Sequence, residues 1–267
     1  MRLPARLYQQ FDADPTRAVP AASYGGWQQR EVELSPERTA LVVMHAWDTQ
    51  APGAFPGWDR AVEYRVRARR ILREIFPPLL TAVRASTLPV FHVVGGGDYY
   101  RTLPGYQRAV ALAGNPPDVM RVPPDATWQK LQALRHAHGF PGAHNAGDIA
   151  AGFQHLDFAP EARPHGAEGV AENSAQLAAL CREAGVNHLI YVGFAINWCL
   201  LMSPGGMTDM ARHGCLCSTI EEAVTAVENR ETAAMEIEKQ QALWRVALEF
   251  GFVFNLPNFI RALPGRR

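Results

Sequence analysis

Apolar, β-branched runs recur along the chain at residues 39–45, 89–94, 187–193, 215–219 and 252–255, each too short for a helix. The longest of them are apolar at successive rather than alternate positions, which is the habit of strands buried on both faces of a parallel sheet. Between the runs the pattern takes on a helical period, over 61–85 with an interruption at Pro77-Pro78, then over 173–184, 198–213 and 231–250. Strands and helices in alternation predict a three-layer, Rossmann-like α/β fold with a mostly parallel central sheet. Residues 1–38, rich in Pro, Gly and Gln around Tyr24-Gly25-Gly26-Trp27, show no sustained period. They are expected to form an ordered arm on a single domain that runs from 39 to 267.

Residues 95–163 are the hardest to read. They open on Gly95-Gly96-Gly97-Asp98-Tyr99-Tyr100, are punctuated by Pro116-Pro117 and Pro123-Pro124, and carry His136, His138, His144 and His155. A long excursion of this kind from a strand end either builds one wall of an active site or is a solvated surface segment. Gly95-Gly96-Gly97 lacks the spacing of a phosphate-binding loop and follows the second strand rather than the first, so a tight turn is expected there.

Composition narrows the partners more than the fold. With 267 residues and 48% hydrophobic content the chain can bury one sizeable core. Its 26 basic side chains are matched by 26 acidic ones, so no net field draws it to nucleic acid or an anionic membrane, and a small neutral or mixed-charge molecule is the expected ligand. Polar residues follow Met1-Arg2-Leu3-Pro4-Ala5-Arg6, and no apolar run approaches the ~20 residues of a membrane span, so a cytoplasmic protein is expected. The cysteines, Cys181, Cys199, Cys215 and Cys217, lack zinc-type pairing and are expected to stay reduced. Lysine occurs only as Lys130 and Lys239.

Two strand ends carry the chemistry: Leu41-Val42-Val43-Met44-His45-Ala46-Trp47-Asp48, and Tyr191-Val192-Gly193-Phe194-Ala195-Ile196-Asn197-Trp198-Cys199. Parallel strands deliver side chains to the carboxyl edge of a sheet, where α/β proteins bind ligands. Cys199 opens a helical stretch, where unpaired N–H groups and the helix dipole favour a thiolate and can receive an oxyanion. A buried, inert cysteine is the commoner occurrence for such a residue taken alone. Gly185-Val186, the strand that follows and Gly193-Phe194-Ala195-Ile196-Asn197-Trp198-Cys199-Leu200 together resemble the nucleophile turn of isochorismatase-like cysteine hydrolases, whose pattern is Gly-Val, strand, Gly-x-Ala-Thr-x-x-Cys-Val. The resemblance covers most of residues 38–255 and is specific around 185–200.

The resemblance implies an isochorismatase-like fold, a Cys199 that attacks a carbonyl carbon, and an oxyanion site built from the backbone of Ala195, Ile196 and Cys199 with a non-proline cis bond at Ala195–Ile196. It also implies no cofactor and a homo-oligomer. Family members pair the cysteine with an Asp at the end of the first strand and with a Lys from the segment before the helix that precedes the nucleophile strand. Here His45 stands at the Asp position, with Asp48 three residues on, and the window 160–168 holds no Lys. Arg163 and His165, with Glu168 beside them, are the candidates to replace it. After Cys199 the family's helix continues, whereas Ser203-Pro204-Gly205-Gly206 is expected to break it and reshape the pocket.

His45 can take both missing roles, accepting the thiol proton and then pairing with the thiolate. Asp48 or Asp98 could orient it, and Asp48 is the second candidate for the base itself. The favoured function is hydrolysis of a C–N bond in a small amide, ureide or lactam-like molecule through a Cys199 thioester with His45 as base. Trp47, Asp98, Tyr99, Asn197 and Trp198 are the candidate substrate-binding residues. The alternative is a catalytically silent protein of this fold that binds a ligand or assembles with a partner; a third reading, hydrolysis of a vinyl ether without a covalent intermediate, leaves Cys199 without a role. A metal held by His45, Asp48, His92 and Asp98 lacks any paired-histidine spacing, so no metal is expected.

Overall fold

The computed structural model describes residues 1–48, 50–114 and 120–265, so Pro116 and Pro117 lie outside the described residues. Its strands are β1 (Arg2–Gln9), β2 (Gly26–Glu33), β3 (Thr39–Met44), β4 (Val90–Val93), β5 (Gly169–Ala171), β6 (His188–Phe194), β7 (Leu216–Thr225) and β8 (Val253–Phe254). They form one 8-stranded sheet in the order β2-β1-β8-β7-β6-β3-β4-β5. All pairs from β8 to β5 are parallel, and only the β1–β2 hairpin and its junction with β8 are antiparallel. The fold is therefore the mostly parallel α/β sheet expected, and the unperiodic first residues extend that sheet by two strands. In the hairpin, Trp27 packs edge-on against Tyr8 at 5.4 Å and lies under the Arg6 guanidinium at 4.3 Å.

The continuous apolar runs bury both faces. Leu41 and Val43 of β3 pack with Leu72, Phe76 and Leu79 on one side, while Val42 and Met44 pack with Leu177, Leu180 and Met210 on the other. Each such buried side chain contributes about 1.5–3 kcal/mol, so a slip of β3 by one residue is strongly disfavoured. The helical region at 61–85 divides at Ile75 into Arg65–Glu74 and Phe76–Arg84. Pro77 and Pro78 fall in the first turn of the second helix, where a missing N–H costs no helical hydrogen bond. Asn173 caps Ser174–Ala184 by accepting from the Gln176 N–H at 3.0 Å, and Gly185 ends that helix in the left-handed region at φ 69°.

The helix expected over 198–213 is broken where Ser203-Pro204-Gly205-Gly206 stands, leaving a turn at Ile196–Leu200 and a separate helix Met207–Arg212. The excursion forms helices Pro104–Ala113, Ala126–His138 and Ala146–Phe153 before returning to β5. Among the described residues no helix is long and apolar enough to cross a membrane.

Candidate active site

β3 and β6 are neighbours, with Met44 opposite Gly193, so the two chemistry-bearing strand ends lie side by side. Gly193 has φ 122°, and a Cβ there would stand 1.9 Å from the Met44 carbonyl oxygen, so only glycine allows this approach. His45 follows Met44 with φ 50°, in the left-handed region that costs a side-chain-bearing residue roughly 1–2 kcal/mol, while its N–H donates to the Val93 carbonyl at 3.0 Å. After Gly193 the non-proline cis bond is Phe194–Ala195, one peptide earlier than the expected Ala195–Ile196. The N–H groups of Trp198 and Leu200 both donate to the Ala195 carbonyl, at 3.2 and 3.1 Å, and fix the turn that presents Cys199. Cys199 thus lies inside a five-residue π-helical turn, not at the start of a regular helix, so any activation of its thiol rests on neighbours rather than on a long helix dipole.

Cys199 and His45 line one cavity of about 450 Å³ together with Tyr64, Arg65 and His136. Its remaining wall is apolar and largely aromatic, including Trp47, Trp58, Phe140, Phe153, Phe194 and Trp198. His136, Phe140, Ile149 and Phe153 come from the excursion, which is thus a cavity wall and not merely a surface loop. No cavity-lining residue comes from the N-terminal hairpin.

His45 is half-buried, and its Nδ1 is sealed from solvent without a hydrogen-bond partner. Burial pushes its pKa down to about 4, so the ring is neutral at pH 7. It stacks on Trp47 at 4.6 Å and 14°, and the Trp47 indole N–H donates to the Tyr99 hydroxyl at 2.8 Å. Tyr99 therefore stands behind Trp47 and positions it. Neither Asp48 nor Asp98 orients the imidazole, contrary to expectation. The Asp48 carboxylate accepts from the Gln50 N–H at 2.8 Å, closing its own turn, and Asp98 is exposed. Among the described residues no direct hydrogen bond joins Cys199 to His45.

The sequence reading missed the cation of this cavity. Arg65 is 1% exposed, its guanidinium lies 4.3 Å over the Trp58 ring, and it stands 3.2 Å from the Asp59 carboxylate. Burial lowers its pKa while Asp59 pulls it back up. Beside it, the Tyr64 hydroxyl is pushed up by burial first and by the neighbouring Cys199 sulfur second. Arg65 sits in an arginine-rich helix start, Arg65-Val66-Arg67-Ala68-Arg69-Arg70, where nothing in the pattern separates the one inward arginine from its neighbours.

The proposed lysine substitutes lie elsewhere. Arg163 pairs with Asp157, and His165 is exposed with its backbone N–H donating to Glu168 at 3.0 Å. Asn197 is also used structurally: its side-chain amide donates to the Val227 carbonyl at 2.8 Å and accepts from the Val227 N–H at 2.9 Å. Trp47 and Trp198 do line the cavity. His92 is buried, and its ring is hydrogen-bonded to Glu168 at 2.9 Å. Although burial opposes it, hydrogen bonds from His92, Arg84 and the His165 N–H hold the Glu168 carboxyl down to about 2. Among the described residues no group of three or more His, Cys, Asp or Glu is arranged to hold a metal.

Fold and site together define an α/β protein with a strand-end cysteine in an aromatic cavity. No protein-family model and no curated protein matches the chain. Solved structures that it resembles include a cysteine hydrolase from Pseudomonas syringae pv. phaseolicola 1448A, at 14% identity and TM-score 0.48, covering 85% of this chain and 93% of that one. An isochorismatase family protein from Burkholderia thailandensis is similar at 17% identity and TM-score 0.46, with 85% and 96% covered. A nicotinamidase and pyrazinamidase from Acinetobacter baumanii is similar at 16% identity and TM-score 0.43, with 85% and 100% covered.

Proposed function

We propose that the protein hydrolyses a C–N bond of a small amide, ureide or lactam-like molecule, with Cys199 as nucleophile and His45 as general base. The observation that supports this most is that the ends of β6 and β3 bring a thiol and a neutral imidazole to the wall of a single cavity. The thiol proton passes to His45 as sulfur bonds to the carbonyl carbon; N–H groups of the turn at Ile196 and Cys199 receive the oxyanion. Collapse expels the nitrogen leaving group, which takes the proton back from His45 and leaves a thioester. Water then gives a proton to His45, attacks the thioester, and the thiol is restored as the acid departs.

Basicity near that of an ordinary carboxylate makes His45 comparable to the Asp it replaces, without that Asp's negative charge. A neutral base needs no lysine to balance it, which fits the absence of Lys from this region. Arg65 is the cation in this reading, stabilising the thiolate across the cavity. The competing reading, a ligand-binding protein without turnover, draws on the same weak basicity and on the lack of a direct thiol–imidazole hydrogen bond. Replacement of Cys199 by Ala and, separately, of His45 by Ala tests the choice. Each is expected to lower kcat/KM for an amide substrate by about a hundredfold or more. Unchanged activity in both variants removes Cys199 and His45 from the chemistry, and an unmodified protein that binds amides without cleaving them leaves the binding reading.

A further inference from the structure

The cavity at Cys199 has far more aromatic surface than a small polar amide can use. Trp58 and Phe153 stack at 5.4 Å and 29°, and Trp47 meets the same Phe153 at 6.0 Å. At the solvent side Phe140 and Trp198, 43% and 42% exposed, meet edge-to-face at 5.5 Å. These rings enclose about 450 Å³, within the range of sites that bury most of a drug-sized ligand. The charge inside is already matched: the Arg65 guanidinium is held by Asp59 at 3.2 Å and covered by the Trp58 face. Among the described residues no carboxylate lines the wall. A substrate cation therefore finds no counter-ion there, and a substrate anion must compete with Asp59 while losing its own hydration.

We infer that the compound accepted at this site is an uncharged amide with a bulky apolar acyl group, of aryl or alicyclic type, and not a small polar or charged amide or ureide. The bulky group packs among Phe153, Phe140 and Trp198, the more exposed rings of the wall, and the polar end lies toward Cys199, Tyr64 and Arg65. The chemistry rests on the hydrolytic reading above, but the binding preference does not.

Calorimetric titration of the Cys199→Ser variant, which separates binding from turnover, tests it with cyclohexanecarboxamide and 2-naphthamide against acetamide, glycinamide and succinamate. The two bulky amides are expected to bind at least roughly tenfold more tightly than the other three, and Phe153→Ala in the same background to remove most of that preference. Equal or tighter binding of the small or charged amides overturns the inference, as does failure of every amide to bind. Bulky amides that bind the variant but are not cleaved by the unmodified enzyme leave the binding preference standing and remove the hydrolytic reading. Cleavage of only acetamide or the charged amides does the reverse.

Discussion

At the scale of single residues, the informative position is His45, where the proposed base, the left-handed backbone and the stack on Trp47 coincide. Only the unprotonated ring can accept the thiol proton, so activity is lost as pH falls through its pKa. With that value near 4, the acid limb of kcat/KM is expected at about pH 4, with little change between pH 7 and pH 5. A limb near 6.5 in the pH–rate profile contradicts the burial that holds the ring neutral. Arg65→Lys keeps a charge but not the planar contact with Trp58, and Arg65→Ala empties a buried position while Asp59 keeps its pairing with Arg69 at 3.0 Å. The first is expected to fold with kcat lowered roughly tenfold, and the second to lose about 1–3 kcal/mol of stability in denaturant titrations, since a large buried side chain and its contact with Trp58 are gone. Cys199 and His45 were legible in the sequence because each ends an apolar strand. Arg65 was not, since its inward direction depends on how the helix beginning at Arg65 sits over the cavity.

Elements set how closely the two strand ends approach. Gly193→Ala places a methyl group 1.9 Å from the Met44 carbonyl at a positive φ, so β3 and β6 must separate. The expected cost is about 3 kcal/mol, read as a fall of roughly 6–12 °C in Tm by calorimetry. Asn197→Ala removes two hydrogen bonds that tie the nucleophile turn to Val227, and is expected to raise the amide-exchange rate of that turn while the sheet stays protected. The strands from 39 onward were readable as buried runs, except β5, whose three residues are too few to show a pattern. The hairpin was unreadable for a different reason: with one face against solvent, β2 alternates Gln, Arg and Glu with few apolar residues, and pairing rather than burial makes it a strand. The excursion resisted reading because its helix Ala126–His138 buries none of its residues and so carries no core stripe.

Across the whole molecule, buried histidines tie stability to pH. His188 is buried beside Ser218 at 2.8 Å, and burial lowers its pKa to about 4, as it does for His45; His92 is lowered too. Below pH 6.5 the unfolded chain takes up protons that His188 and His45 refuse in the folded protein until about pH 4. Stability is therefore full above 6.5 and declines between 6.5 and 4, by roughly 3 kcal/mol for His188 alone. Glu168 acts in a lower window, from its ordinary value near 4.5 down to about 2, where protonation dismantles its pairing with Arg84 and His92. Urea titrations at pH 7 and pH 4.5 are expected to show this decline, and His188→Gln to flatten it.

The two ends of the sheet have a bearing on how this protein behaves in concentrated solution. β8, only two residues long and apolar, is shielded by β1, and the outermost strand on that side is β2, which turns Gln29, Arg30, Glu31 and Glu33 outward. At the opposite rim β5 offers three residues, with helix Pro104–Ala113 packed close enough that a Cβ on Gly105 would meet the Glu168 carbonyl at 1.9 Å. One rim presents hydrated charged side chains that a second copy must strip of water, and the other gives it almost nothing to zip onto, so filament growth by strand addition is disfavoured at both ends. A parallel sheet rich in Val, Ile and Leu thereby stays safe from its own stickiness.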